Sequence, residues 1–150
     1  MATLNVVAET DATPDEVIGA LTDFTERRPE IWPYLASRYY EVLEVGENRA
    51  RIREGTVSGP LKVWAIEEYE WGPGRCRFTV AESNFCKPGS YVEVSASPRS
   101  GGGSEVRTHW DRRPSNLTGW MAVVMMKASR GGVLKDSMKK GLANYRRLTK

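Results

Sequence analysis

"GGGSEVRTHWDRRP", residues 101–114, is where the pattern of the chain changes. Up to Arg113 apolar and polar residues alternate one for one, which is the period of a strand; beyond Pro114 apolar residues recur every three or four positions, which is the period of a helix. Within the stretch Val106, Thr108 and Trp110 share one face, while Glu105, Arg107, His109 and Asp111 share the other. Four polar or charged side chains in a row mark a solvated face. Trp110 is therefore expected to point inward, and His109, the only histidine, outward.

Working back from Gly101, the period of two persists to Arg38. "RYYEVLEV" and "NRARIREGTV" flank the turn "GEN", "GPLKVWAIEEYEW" runs through "GPG" into "RCRFTVAE", and "SYVEVSASP" precedes "GGGS". These are three hairpins. With "TLNVVAET" (3–10) as an opening strand, the pattern predicts about seven strands in a mostly antiparallel meander. Between the first and second strands, "DATPDEVIGALTDF" reads as a helix. Thr13 suits its N-cap, Pro14 its first position, and Val17, Leu21 and Phe24 its apolar stripe. "TERRPEIWPYL", broken by Pro29 and Pro33, leaves room for only a short helix or turn carrying Trp32 and Tyr34.

Working forward, Leu134, Met138, Leu142 and Tyr145 form the stripe of a long amphipathic terminal helix. Gly131 and Gly132 interrupt this helix or mark its boundary with a preceding one. A sheet with one apolar face and a helix with a matching stripe must bury them against each other. The expected class is α+β, one domain over residues 1–150, with the curved sheet wrapped around the C-terminal helix and a cavity between them.

Composition removes several functions. The net charge of +3 is modest, but Lys127, Arg130, Lys135, Lys139, Lys140, Arg146, Arg147 and Lys150 gather at the C-terminus against a single acid, Asp136. That is a solvated helix face or a patch for peripheral membrane contact or an acidic partner. No basic strand face with interleaved aromatics suggests nucleic acid. The longest apolar run, "GWMAVVMM" (119–126), is far short of the ~20 residues that cross a bilayer. Cys76 and Cys86 are too few for a disulfide framework or a zinc site, so no metal or cofactor is expected. Reduced thiols and the absence of a leader pattern at the N-terminus suggest a cytoplasmic protein, monomeric or homodimeric.

Four segments carry a family resemblance. "ATPDEVIGALTDF" (12–24) resembles the first helix of the START-like, or SRPBCC, superfamily of Bet v 1-like helix-grip proteins, of the polyketide cyclase/dehydrase type. "IWPYL" (31–35) resembles the family's Trp-Pro loop, "YEWGPGRCRFTV" (69–80) its Pro- and Arg-containing hairpin, and "GGGSEVRTHWDRR" (101–113) its last strand. The resemblance implies a helix-grip fold and a hydrophobic cavity beneath the long helix. It implies no universal catalytic set, because the fold hosts cyclases, lipid carriers, hormone receptors and chaperone activators.

Alternation then nominates the cavity lining. Ala50, Ile52 and Glu54 share a face, as do Cys76, Phe78 and Val80, and Val92, Val94 and Ala96. "LKVWAIEEYEW" alternates poorly, with Leu61, Val63, Tyr69 and Trp71 in one phase and Trp64 and Ile66 in the other. A bulge between Ile66 and Tyr69 would bring both Trp64 and Tyr69 inward. The expected ligand-binding set is Trp32, Ile52, Glu54, Trp64, Phe78, Val80, Phe85, Val94, Trp110, Met121, Met125 and Met138. A carboxyl buried among such groups can act as a general acid or base. The candidate catalytic residues are accordingly Glu54, Tyr69 and Ser83. Two functions follow: a binder of a small hydrophobic or aromatic ligand, lipid- or polyketide-like, or a cyclase/dehydrase-like enzyme using the same cavity. An interaction domain built on the basic helix is a third.

Overall fold

The computed structural model describes residues 3–149; Lys150, the last of the basic series, lies outside them. One seven-stranded antiparallel sheet runs β1 (Thr3–Thr10), β7 (Ser104–Asp111), β6 (Tyr91–Pro98), β5 (Arg75–Ser83), β4 (Leu61–Gly72), β3 (Arg49–Ser58), β2 (Glu41–Val45). All strands except β1 neighbour their successors in sequence, as expected when Gly-rich turns join them. β1 closes the order by pairing with β7, Val6 opposite Thr108 and Leu4 opposite Trp110. Arg38, assigned to the second strand from its sequence, instead lies in a 3-10 turn over Ser37–Tyr39.

Helix α1 (Pro14–Leu21) starts as its sequence dictates. Thr13 Oγ1 accepts from the Glu16 amide, and the Glu16 carboxylate accepts from the Thr13 amide. This capping box satisfies two of the helix's orphan donors. Val17, Ile18 and Leu21 are buried against the sheet. The two prolines leave α2 (Arg28–Ile31) a single turn.

The C-terminal helical region is two helices, α3 (Leu117–Ala128) and α4 (Gly132–Leu148). Arg130 (φ 53°) and Gly131 (φ 82°) both adopt left-handed backbone, which ends α3 and redirects the chain. α4 lies against the concave face through Leu134, Met138, Leu142 and Tyr145. Gly141 lets it approach closely, since a Cβ there would run into the Trp32 ring.

Strand phase is kept along β7 and β4. In β7, Ser104, Val106, Thr108 and Trp110 are buried. In β4 the inward set is Val63, Ala65, Glu67, Tyr69 and the half-buried Trp71. A bulge does occur opposite Ile66–Glu67, but Ala81 of β5 is the extra residue. β4 therefore never changes phase. Trp64 sits on the outer face, which corrects its assignment to the cavity.

Candidate ligand cavity

A cavity of about 260 Å³ lies between the concave face of the sheet, α2 and α4. Its walls are apolar: Trp32, Val63, Ala65, Phe78, Phe85, Val92, Val94, Leu134 and Met138. Two ion pairs break that apolar lining, one on each side of a stacked aromatic pair.

The first pair is Arg28 with Glu54. Arg28, 2% exposed, starts the one-turn helix α2, and this places its guanidinium beneath the end of α1. Its Nη1 donates to the Leu21 and Asp23 carbonyls at 2.9 and 3.1 Å. Nε and Nη2 donate to the two Glu54 oxygens at 3.2 and 3.4 Å, and Nη2 also donates to Tyr69 Oη at 3.0 Å. Tyr69 in turn donates to Glu54 Oε1. The Phe24 ring lies 4.7 Å from the guanidinium carbon. Burial works against the charge on Arg28, but Glu54, Tyr69 and Tyr40 together outweigh it and raise its pKa. Burial, reinforced by Glu54, holds the Tyr69 phenol well above its usual value, so it stays a neutral donor.

The second pair is Arg112 with Glu67. Arg112 follows β7, one further step in the phase of Val106, Thr108 and Trp110. Its Nη1 donates to Glu67 Oε1 at 2.6 Å. Among the described residues this is its one side-chain hydrogen bond, and Arg112 also lines the cavity. Burial pushes the Glu67 carboxyl above its usual range, Arg112 pulling the other way and nearby Glu54 adding to the rise. The Phe78 ring stacks on Tyr69 at 4.8 Å between the two pairs.

Of the residues expected from sequence, Trp32, Glu54, Tyr69, Phe78, Phe85, Val94 and Met138 line this cavity. Ile52 and Trp110 are buried on the same concave face but sit in the core beside it. Val80 packs with Ala65, Cys86 and Phe85 in a smaller cluster. Met121 and Met125 lie on the exposed side of α3, away from the cavity, because that helix turns a different set of residues inward. Ser83 Oγ donates to the Trp64 carbonyl and accepts from the Phe85 and Cys86 amides, which makes it a turn residue at the end of β5. His109 is on the convex face, its Nδ1 2.7 Å from Asn5 Oδ1. Burial pushes the Cys76 thiol up to about 12 and that of Cys86 to about 11, so neither is a thiolate at neutral pH. Sequence reasoning missed Arg28, Glu67 and Arg112. Plain alternation through β4 and past β7 points to the last two; nothing periodic points to Arg28.

A family model described as "Polyketide cyclase / dehydrase and lipid transport" matches residues 1–148. The chain belongs to this family. Solved structures share its architecture. A Thermus thermophilus protein, TTHA0849, superposes with a TM-score of 0.78 at 18% identity, covering 99% of each chain. The ZhuI aromatase/cyclase of Streptomyces sp. R1128 gives 0.76 at 15% identity, covering 99% of this chain and 95% of that one. A START superfamily protein of Mycobacterium smegmatis gives 0.65 at 10% identity over 89% and 97%. At such identities the polyketide cyclase/dehydrase family member shares their helix-grip fold, and the likeness carries no further. Among curated proteins, none matches the chain in sequence.

Proposed function

We propose that the protein binds one small, flat, mostly hydrophobic molecule that carries a polar edge, such as an aromatic or polyketide-like compound. The observation that carries this reading is the cavity's make-up: apolar walls interrupted by the Arg112–Glu67 pair, in which Arg112 donates a single side-chain hydrogen bond. The volume of about 260 Å³ sits just under the roughly 300–1,000 Å³ usual for ligand sites, which favours a compact ligand over a long acyl chain. A carbonyl or phenol would face Arg112, whose fork is only partly used, while rings pack on Phe78 and Phe85. Two free, buried thiols suit a reducing compartment such as the cytoplasm. Among the described residues, no helix is long and apolar enough to cross a membrane.

A second reading, cyclase- or dehydrase-type catalysis, is favoured by one further feature: a buried carboxyl with an upward-shifted pKa beside a cation. A ligand carbonyl polarised by Arg112 would acidify the adjacent C–H. Glu67 would take that proton, and the electron pair would move onto the carbonyl oxygen as an enolate held by Arg112. Glu54 has its oxygens occupied by Arg28 and Tyr69, so it acts here by positioning the phenol.

Native mass spectrometry of the purified protein tests the binding reading. One bound small molecule per chain is expected, and Ala65→Trp, which fills the cavity, should abolish it. A folded Ala65→Trp variant that still carries the molecule would overturn the proposal. With a ligand in hand, Glu67→Gln and Glu54→Gln separate catalysis from binding: retained affinity with turnover lost only in Glu67→Gln is the enzymatic outcome.

A further inference from the structure

Helix α3 is apolar on both sides. Its inner side, Gly119, Val123 and Met126, packs on the protein. Its outer side presents Leu117, Trp120, Met121, Val124 and Met125, at successive i, i+3, i+4, i+7 and i+8 positions. These five are exposed, Leu117 by 76%, Val124 by 62% and Trp120 by 55%, and Val133 at the start of α4 is exposed as well. A helix that is hydrophobic all round normally has protein on every side. Here half of it faces water, and so large a contiguous patch marks an interaction site.

The charges around the stripe say what covers it. No Asp or Glu occurs between Asp111 and Asp136. Lys127 flanks the stripe about a quarter turn from its centre, and exposed Arg130 and Lys135 follow in the turn and in α4. A second copy of the chain would meet this face with the same patch and the same cations. An apolar stripe bordered by cations, with a Trp among its members, matches the acyl–headgroup boundary of an anionic lipid surface. Twelve residues make a helix of about 18 Å, which lies in the plane of the surface and does not span it.

We propose that α3 is a membrane-docking helix, inserted edge-on into anionic bilayers, with Lys127, Arg130 and Lys135 at the headgroups. Its anchorage places it beside the cavity. The Ser115 amide donates to the Phe85 carbonyl at 3.0 Å, Asn116 Nδ2 donates to the Asn84 carbonyl at 2.8 Å, and Phe85 is a cavity wall. At its other end α3 leads into α4, which supplies Leu134 and Met138 to the same cavity. The docking does not depend on what the cavity holds.

Sedimentation of the full chain with phosphatidylcholine vesicles, with and without phosphatidylglycerol, tests this. The protein should pellet with the anionic vesicles and weakly, or not at all, with the neutral ones. Trp120→Ser combined with Met125→Ser should lower the partition more than about tenfold, since both side chains lose their apolar insertion. Arg130→Glu combined with Lys135→Glu should do the same by removing attraction to the headgroups. All four side chains are exposed, so melting temperatures should match the parent's; should the serine pair unfold, the charge-reversed pair carries the test. Failure of the parent to pellet with anionic vesicles, or parent-like pelleting by both folded variants, overturns the proposal. A parent dimer that the serine pair converts to monomer also overturns it and gives the face to a second copy.

Discussion

The two ion pairs of the cavity use the same residue types and differ in how fully they are used. Arg28 donates to two helix-end carbonyls, both Glu54 oxygens and the Tyr69 hydroxyl, and has an aromatic ring at its side. Arg112 donates once, to Glu67. A saturated buried arginine has nothing left to offer a ligand and serves the fold; a partly used one retains donors that a ligand can engage. Breaking a buried pair is costly because it strands the remaining charge. The difference between the pairs therefore predicts a division between stability and binding.

Arg28→Met should show the largest effect. It strands Glu54 and leaves the Leu21 and Asp23 carbonyls without this donor, a loss of about 3–5 kcal/mol in denaturant unfolding. Arg112→Met should cost less, about 2 kcal/mol, because one hydrogen bond is lost and Glu67 can take up a proton. Ligand affinity, by contrast, should fall more in Arg112→Met than in any variant of the Arg28 pair that remains folded. Equal stability losses, or an unchanged affinity in Arg112→Met, would erase the distinction. Tyr69→Phe comes next, at about 1 kcal/mol, since Glu54 keeps Arg28 as its partner.

How much of this was legible in the sequence depends on whether a position is set by period or by tertiary closure. The phase of β3, β5, β6 and β7 follows from alternation, which gives Glu54, Phe78, Val94 and Trp110 their inward direction. The same rule, extended one step beyond Trp110, reaches Arg112, and kept without adjustment through β4 it reaches Glu67. The bulge invoked for Trp64 gave weight to aromatic character over phase, and the extra residue belongs to β5. Met121 and Met125 could not be oriented from periodicity, because α3 is apolar on every side. Arg28 had no local signal at all. Its burial exists only once α2 folds under the carbonyl end of α1 and β3 brings Glu54 to it.

The finest separation of the two pairs lies in pH dependence. Burial raises the folded-state pKa of Glu67 above its ordinary 4.5, so the folded protein binds that proton more tightly than the unfolded chain does. Stability rises with pH only where the unfolded state binds more protons. Here the sign is opposite: the contribution of Glu67 is fully present below about 4.5 and is lost as pH rises through the raised folded value. Glu67→Gln removes this titration while keeping the shape of the side chain. The stability of Glu67→Gln relative to the parent should therefore improve as pH climbs from acid towards neutral, by a margin smaller than in the three variants above. Urea unfolding across that range measures it. A relative stability that falls with rising pH would mean that Arg112 overcomes the burial of Glu67, making the second pair as much a structural element as the first.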